Sequence, residues 1–250
     1  MKKYNGFYLM CSYPDRDTFI NAAVKGLEYF DFLEIGVPFS DPIADGPVIA
    51  EAAHSVLSAG FTFNHLAENL KEIRSRVRGD KEIYLMTYSN IIFNRKGEEL
   101  NSIIQEYGIK GFIIPDIPFS EKDFFAKLNP PVNASPVSFI TPESSVESIK
   151  SIVSGDSPFI YFISKRGITG GEFRIDPETK DKLKQARELS SAPVVLGFGI
   201  KDSTSASEAL KYADGFIIGT TLVNILKEKN FNEYSLFIDN LFDGINNLKS

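Results

Sequence analysis

The sequence predicts a single (β/α)8 barrel over residues 1–250, and three observations carry that expectation. Eight short runs of β-branched and aromatic residues alternate with amphipathic runs from end to end. No composition break or low-complexity linker divides the chain. The apolar runs are nearly continuous, as strands become when helices cover one face and a packed interior the other. A doubly wound open sheet is the competing fold, because local pattern does not report closure. Against it, no Gly-x-Gly-x-x-Gly turn follows the first strand.

In chain order, strands are predicted at Phe7–Cys11, Phe32–Gly36, Ile83–Tyr88, Gly111–Ile114, Val137–Ile140, Phe159–Ser164, Val194–Leu196 and Gly215–Ile218. Helices are predicted at Asp15–Tyr29, Val48–Ala59, Asn64–Arg78, Gly97–Tyr107, Glu121–Lys127, Ser144–Ser154, Pro177–Ser190, Thr204–Lys211 and Tyr234–Lys249. Local punctuation agrees with this division. Thr62 or Asn64 can cap the helix after Gly60, and Ser144 with Glu147 makes a capping box. Asp176-Pro177 puts an acceptor at an N-cap and proline at the first helical position.

Composition excludes several classes of function. A net charge of −6 and a pI near 5.1, with no basic stripe, argue against nucleic acid. Lys71 to Arg78 and Lys180 to Arg187 read as solvated, mixed-charge helix faces. Cys11 is the one cysteine, so no internal disulfide forms; it lies in an apolar strand and reads as a buried structural thiol of a cytoplasmic protein. No apolar run approaches the roughly 20 residues of a membrane span, and the first residues lack the core of a signal peptide.

Glu34 is the residue that pattern does not explain. It sits between Leu33 and Ile35, and no other strand carries a charge as deep. Alternation turns Phe32, Glu34 and Gly36 one way and Leu33, Ile35 and Val37 the other. The aliphatic set suits the helices, which leaves Glu34 in the barrel interior, where desolvation raises its pKa. A buried glutamate neutralised by lysine is the bland alternative, but no strand offers an inward basic residue. Asp45 follows in the loop at the catalytic end of the second strand. Alone, Asp45-Gly46 and Asp41-Pro42 are ordinary turn chemistry. Asp116, ending the fourth strand, is a weaker candidate.

Glycines cluster after the last three strands, at Gly167-Ile168-Thr169-Gly170-Gly171, Gly197-Phe198-Gly199 and Gly219-Thr220-Thr221. Backbone N–H groups can approach an anion there, and a helix N-terminus after Thr220 adds its dipole. Loops after the seventh and eighth strands form the common phosphate site of this fold. Tyr88 and Tyr161 close the third and sixth strands on the same rim. His54 and His65 lie in the helical layer, and no Cys/His/carboxylate spacing suggests a metal. Without a lysine at a strand centre, a Schiff-base aldolase is disfavoured.

Together these motifs resemble the tryptophan synthase alpha subunit family. The stretch Leu33-Glu34-Ile35-Gly36-Val37-Pro38-Phe39-Ser40-Asp41-Pro42-Ile43-Ala44-Asp45-Gly46-Pro47 is similar to that family's signature. Met86-Thr87-Tyr88-Ser89-Asn90, Pro115-Asp116-Ile117-Pro118, Gly167-Ile168-Thr169-Gly170 and Gly197-Phe198-Gly199-Ile200 support it. The resemblance runs from about Phe7 to the C-terminal helix. It implies cleavage of indole-3-glycerol phosphate to indole and glyceraldehyde 3-phosphate, without metal or organic cofactor. Glu34 would be the acid and base, Asp45 would bind the ring N–H, and Tyr161 would orient the acid. Thr169, on a closing loop, would move toward Asp45. Tyr8, Met86, Tyr88 and Ile140 would line the ring pocket, and Gly170, Phe198, Gly199, Gly219 and Thr220 would hold phosphate.

The resemblance also implies a beta-subunit partner, in an alpha2beta2 complex, that carries pyridoxal phosphate. The loop with Pro38, Phe39, Asp41 and Pro42 would face it. Three features depart from the family. The N-terminal segment before the first strand is short, which leaves the barrel bottom in question. Met10-Cys11-Ser12-Tyr13-Pro14 stands where Thr-x-Gly-Asp-Pro is common, and Lys165 stands where arginine is common. Competing functions are a non-catalytic activator of a beta subunit and another phosphate-binding barrel, an isomerase or epimerase. Loss of either carboxylate would favour the first, and both are present. The second does not explain the Glu34–Asp45 loop.

Overall fold

The computed structural model describes residues 3–128, 130–163, 168–169, 172–173, 175–197, 199–228 and 230–247, without the side chains at 122, 124, 168, 169, 172 and 173. Eight parallel strands form the central ring. They are β1 (Gly6–Met10), β2 (Phe32–Gly36), β3 (Glu82–Met86), β4 (Ile109–Ile113), β5 (Ser138–Ile140), β6 (Ile160–Ile163), β9 (Val194–Gly197) and β10 (Gly215–Ile218). A short antiparallel pair, β7 (Ile168–Thr169) with β8 (Glu172–Phe173), lies between β6 and the next helix.

The hydrogen-bonded order is β4-β3-β2-β1-β10-β9-β6-β5. Its two ends meet at one parallel bridge between Phe112 and Pro136. There the Val137 N–H donates to the Phe112 carbonyl at 2.7 Å, and the Phe112 N–H donates to Ser135 at 3.3 Å. This seam rolls the sheet into a nearly closed barrel, as predicted. Beside it lies a cavity of about 580 Å³, lined in part by Ile114, Pro115, Phe119, Phe139 and Ile163.

The helices in order are α1 (Arg16–Tyr29), α2 (Pro47–Ser58), α3 (Phe63–Arg76), α4 (Ser89–Phe93), α5 (Gly97–Tyr107), α6 (Val146–Val153), α7 (Pro177–Leu189), α8 (Ser203–Tyr212), α9 (Thr220–Lys227) and α10 (Phe231–Asn247). Strand alternation sorts the core into two layers. Leu33, Ile35, Leu85, Phe162 and Leu196 pack outward against the helices. Tyr8, Phe32, Tyr84, Phe159, Val195 and Ile217 fill the interior.

Several predicted boundaries move. Residues Phe119–Lys127 form a 3-10 helix, and Ser145 rather than Ser144 caps α6 by accepting the Ser148 N–H. The Ser144 hydroxyl is drawn back onto the Thr141 N–H instead. The helix α4 was not foreseen, since five residues carry too little periodicity. His65 accepts the Thr62 N–H at 2.9 Å, so one of the two histidines works as a helix cap.

Tyr4 packs across the barrel bottom. Its ring stacks on Phe32 at 4.7 Å, and its hydroxyl meets Tyr84 at 2.8 Å and Glu82. Phe32, Tyr84 and Phe159 pack edge-on and tilted above it, forming an aromatic plug. The turn after β1 carries another departure. Ser12 adopts φ +63°, a left-handed conformation that costs a non-glycine residue about 1 kcal/mol. Asn69 of α3, fully buried, donates to the Ser12 hydroxyl at 2.8 Å and holds that turn.

Arg74 ties α3 to the start of the sheet. Its guanidinium donates to the carbonyls of Tyr107, Lys81 and Gly108 at 2.7, 2.6 and 3.0 Å. Charge-assisted bonds to carbonyls that would otherwise lack partners are strong. Arg74→Met is therefore expected to lower unfolding stability by about 2–3 kcal/mol, read as a shift of the urea midpoint at unchanged slope.

Candidate functional site

The site is built on β2. Glu34 pairs in register with Tyr8 of β1 on one side and with Tyr84 of β3 on the other. All three face the interior, and Glu34 is 2% exposed. Its Oε2 has no hydrogen-bond partner among the described residues. A carboxyl in that setting keeps its proton, because the charged form loses hydration and gains nothing in return. Burial first, and then the charge of Asp45, push Glu34 up to about 8.

Two glycines make room for the tyrosines around it. A Cβ on Gly36 would fall 2.0 Å from the Tyr8 hydroxyl, and one on Gly197 would fall 2.0 Å from the Tyr161 ring. Any side chain at either position would have to displace a tyrosine. Tyr161 also stacks on Phe139 at 5.6 Å. Burial raises both phenols well above their ordinary range, and the Glu34 and Asp45 charges raise them further. The two tyrosines therefore remain neutral donors across the working pH range.

Asp45 reaches the same space from the loop between β2 and α2. Tyr88, two residues after β3, donates to Asp45 Oδ2 at 3.0 Å. The same Tyr88 oxygen accepts the Ala44 N–H at 3.1 Å. Burial raises Asp45, and the Tyr88 hydroxyl pulls it back down. The two carboxyls thus differ in character: one dry and unpartnered, one half-buried and hydrogen-bonded. Such a pair divides into an acid and an anion.

The predicted site residues fall into three groups. Glu34, Asp45, Tyr8, Tyr161, Met86 and Tyr88 converge at the C-terminal end of the strands, with Met86 packed against the interior cluster. Ile140 does not join them. It is fully buried in the outer layer, while Phe139 packs against the interior in register with Tyr161. Three-residue β5 turns its central side chain, Phe139, inward and Ile140 outward. Gly170, Phe198 and Lys165 lie outside the described residues, and of Thr169 only its backbone pairing with Glu172 is described.

Gly199 has φ +78°, open to glycine and strained for other residues. Gly219 is the N-cap of α9 and makes no side-chain cap, which leaves the first-turn N–H groups at Thr220 facing outward from the helix end. Thr221 donates to the Ile200 carbonyl at 3.3 Å, tying this helix start to the loop after β9. The two remaining segments of the predicted anion site are therefore held together.

The loop before Asp45 differs from its expected display. Pro38 is buried, and Phe39 stacks on Tyr88 at 5.1 Å. Asp41 is exposed, Pro42 half-buried, and Ile43 is 74% exposed. The loop folds its first half back over the barrel mouth, so the outward surface begins at Ser40. Asp116 takes a supporting place: its carboxylate accepts the Ser89 N–H at 3.0 Å and the Ser89 hydroxyl at 2.6 Å, fixing the start of α4. Burial pushes the Cys11 thiol up to about 12, which leaves it inert at neutral pH. Among the described residues, no group of three or more His, Cys, Asp or Glu side chains is arranged to hold a metal ion.

Glu34 makes a prediction about stability. Its folded pKa lies above its unfolded value, so the native state binds the extra proton between about 4.5 and 8. Stability then falls as pH rises through that window. Glu34→Gln is expected to remove this slope and to stabilise the fold by on the order of 3 kcal/mol above pH 8, with little gain at pH 4.5. Urea titrations across pH 4.5–9 report both numbers.

Comparison with known proteins points one way. A family model described as tryptophan synthase alpha chain matches residues 3–242. The tryptophan synthase alpha chain of Aquifex aeolicus is 36% identical over 240 residues, covering 95% of this chain and 91% of that one. That of Thermotoga petrophila is 38% identical over 225 residues, covering 88% and 89%. Among solved structures, a mutant alpha-subunit of tryptophan synthase from Pyrococcus furiosus superposes with a TM-score of 0.83 at 28% identity, covering 97% of this chain and all of that one. A chain from the tryptophan synthase a2b2 complex of the same organism gives 0.85 at 28% identity, with the same coverage.

Proposed function

Because the chain belongs to the tryptophan synthase alpha chain family, whose members are lyases of tryptophan synthesis, we propose that its reaction is retro-aldol cleavage of indole-3-glycerol phosphate. The products are indole and glyceraldehyde 3-phosphate. The observation that supports this reading most directly is the buried Glu34 carboxyl, its Oε2 without a hydrogen-bond partner among the described residues, coupled to Asp45 at the mouth of the barrel.

The steps follow from the two carboxyls. Protonated Glu34 delivers its proton to the ring carbon that bears the side chain, and positive charge develops at the ring nitrogen. Ionised Asp45 accepts the ring N–H and stabilises that charge. The bond between ring and side chain then breaks, and its electron pair restores the indole. Ionised Glu34 removes the proton from the hydroxyl on the departing carbon, which becomes the aldehyde. Glu34 ends protonated, ready for another turn. Tyr161 holds the acid in place beside Gly197, and Phe139 takes the ring-wall role together with Tyr8 and Met86.

Backbone N–H groups at Gly199, Gly219 and Thr220 hold the phosphate, with Gly170 and Phe198 completing the cradle and Thr169 closing toward Asp45. Both proton transfers are met by side chains of this chain, so the step uses no metal or organic cofactor. Indole passes to a beta subunit that carries pyridoxal phosphate, in an alpha2beta2 assembly. The complex structure from Pyrococcus furiosus supports that partnership, and residues Ser40, Asp41 and Ile43 supply the outward loop for it. No helix among the described residues is long and apolar enough to cross a membrane, and a cytoplasmic chain of one barrel domain fits the reading.

The test is indole release from indole-3-glycerol phosphate. Glu34→Gln is expected to lower turnover by roughly 10²–10⁴-fold while keeping the fold; wild-type turnover in that variant would sink the assignment. In the wild type, kcat/KM is expected to fall about tenfold per pH unit above about 8, where Glu34 loses the proton it must deliver. Stimulation of a beta subunit without any indole release would instead mark a non-catalytic activator.

A further inference from the structure

We propose that Tyr88 is a positioning residue that fixes Asp45, and with it the loop over residues 37–47, in its working geometry. The resemblance gives Tyr88 only as a wall of the ring pocket. Its contacts describe a different part. One oxygen serves two bonds: it accepts the Ala44 N–H at 3.1 Å and donates to Asp45 Oδ2 at 3.0 Å. Its ring stacks on Phe39 at 5.1 Å and 28°, from the same loop. Tyr88 is itself 3% exposed and stands two residues after β3 as the N-cap of α4, where its carbonyl accepts the Ile91 N–H at 3.0 Å. The loop is thus gripped at Phe39, Ala44 and Asp45 by a single side chain set between β3 and α4.

The direction of the bond matters. Burial, and then the Asp45 charge, raise the Tyr88 phenol, so it keeps its proton and can only donate to the carboxylate. A donor aimed at the ionised form favours that form. Among the described residues, the titratable groups whose charge couples to Asp45 are Glu34 of β2, Tyr8 of β1 and Tyr161 of β6, and Asp116 couples to the Tyr88 hydroxyl from the loop after β4. None of these carries a positive charge. The Tyr88 hydroxyl is the described group that lowers Asp45.

This inference rests on the proposed reaction for its kinetic arm only. Tyr88→Phe in the full chain keeps the ring stack and removes both bonds. Turnover is expected to fall roughly ten- to a hundredfold with KM within about threefold, because the lost interaction matters to the charge on Asp45. The acid limb of the pH profile is expected to move to higher pH, since Asp45 loses the donor that lowers it. Carbon-13 NMR titration of the Asp45 carboxyl reads the same shift without turnover. Phe39→Leu, which removes the stack and keeps the hydroxyl, is expected to leave that titration in place. If Asp45 titrates at one pH in wild type and Tyr88→Phe alike, the proposal is overturned. If the wild type releases no indole while the NMR shift appears, the proposed reaction fails and the role of Tyr88 stands.

Discussion

Among the described residues no cation reaches Glu34; a carboxyl so placed stays inside a barrel by keeping its proton, and the interior around it is arranged on that condition. Its ladder neighbours are both tyrosines, neutral groups that pack like aromatics and neither repel nor ionise it. Gly36 and Gly197 exist as bare backbone because two of the surrounding phenol rings lie across them. Asp45 is kept outside the dry zone by its loop, close enough for its charge to raise Glu34 and polar enough to hold that charge. Had a lysine stood inward on any strand, both carboxyls would be ionised and the division of labour would vanish.

Much of this was legible in the chain. The alternation of apolar and amphipathic runs carried the barrel, and the depth of Glu34 in its strand carried its burial. Asp176 and Thr62 stand at helix N-termini as their neighbours indicate. What escaped was phase and distance. Val137 to Ile140 offers near-continuous apolar character, so which residue faces inward depends on the pairing of Phe139 with Tyr161, a contact 22 residues away in sequence numbering. The plug at Tyr4 needed partners on β2, β3 and beside β6 that no local window contains. The double role of Tyr88 was equally hidden, because both its bonds run to a loop more than forty positions earlier.

The seam between β4 and β5 shows how little hydrogen bonding closure needs. Neighbouring strands elsewhere in the ring share ladders of two to five paired residues, whereas the seam has one bridge. The rest of the closure is apolar: Phe112 packs on Phe125 of the 3-10 helix, and Val132 and Leu128 cover that join. A join with a single bridge is where local opening is expected to cost least.

Ser12 and Asn69 carry a consequence for how sequences of this kind can drift. The family pattern tolerates glycine at the left-handed turn, and glycine asks nothing of its surroundings. Serine there asks for a hydroxyl partner, and the fully buried Asn69 provides it. Asn69 lies 57 residues from Ser12 in the chain and donates to the neighbouring Cys11 sulfur as well, at 3.4 Å. An aliphatic residue at 69 would take a donor from both residues of the turn at once, whereas glycine at 12 would relax the backbone and leave the Asn69 amide one acceptor short.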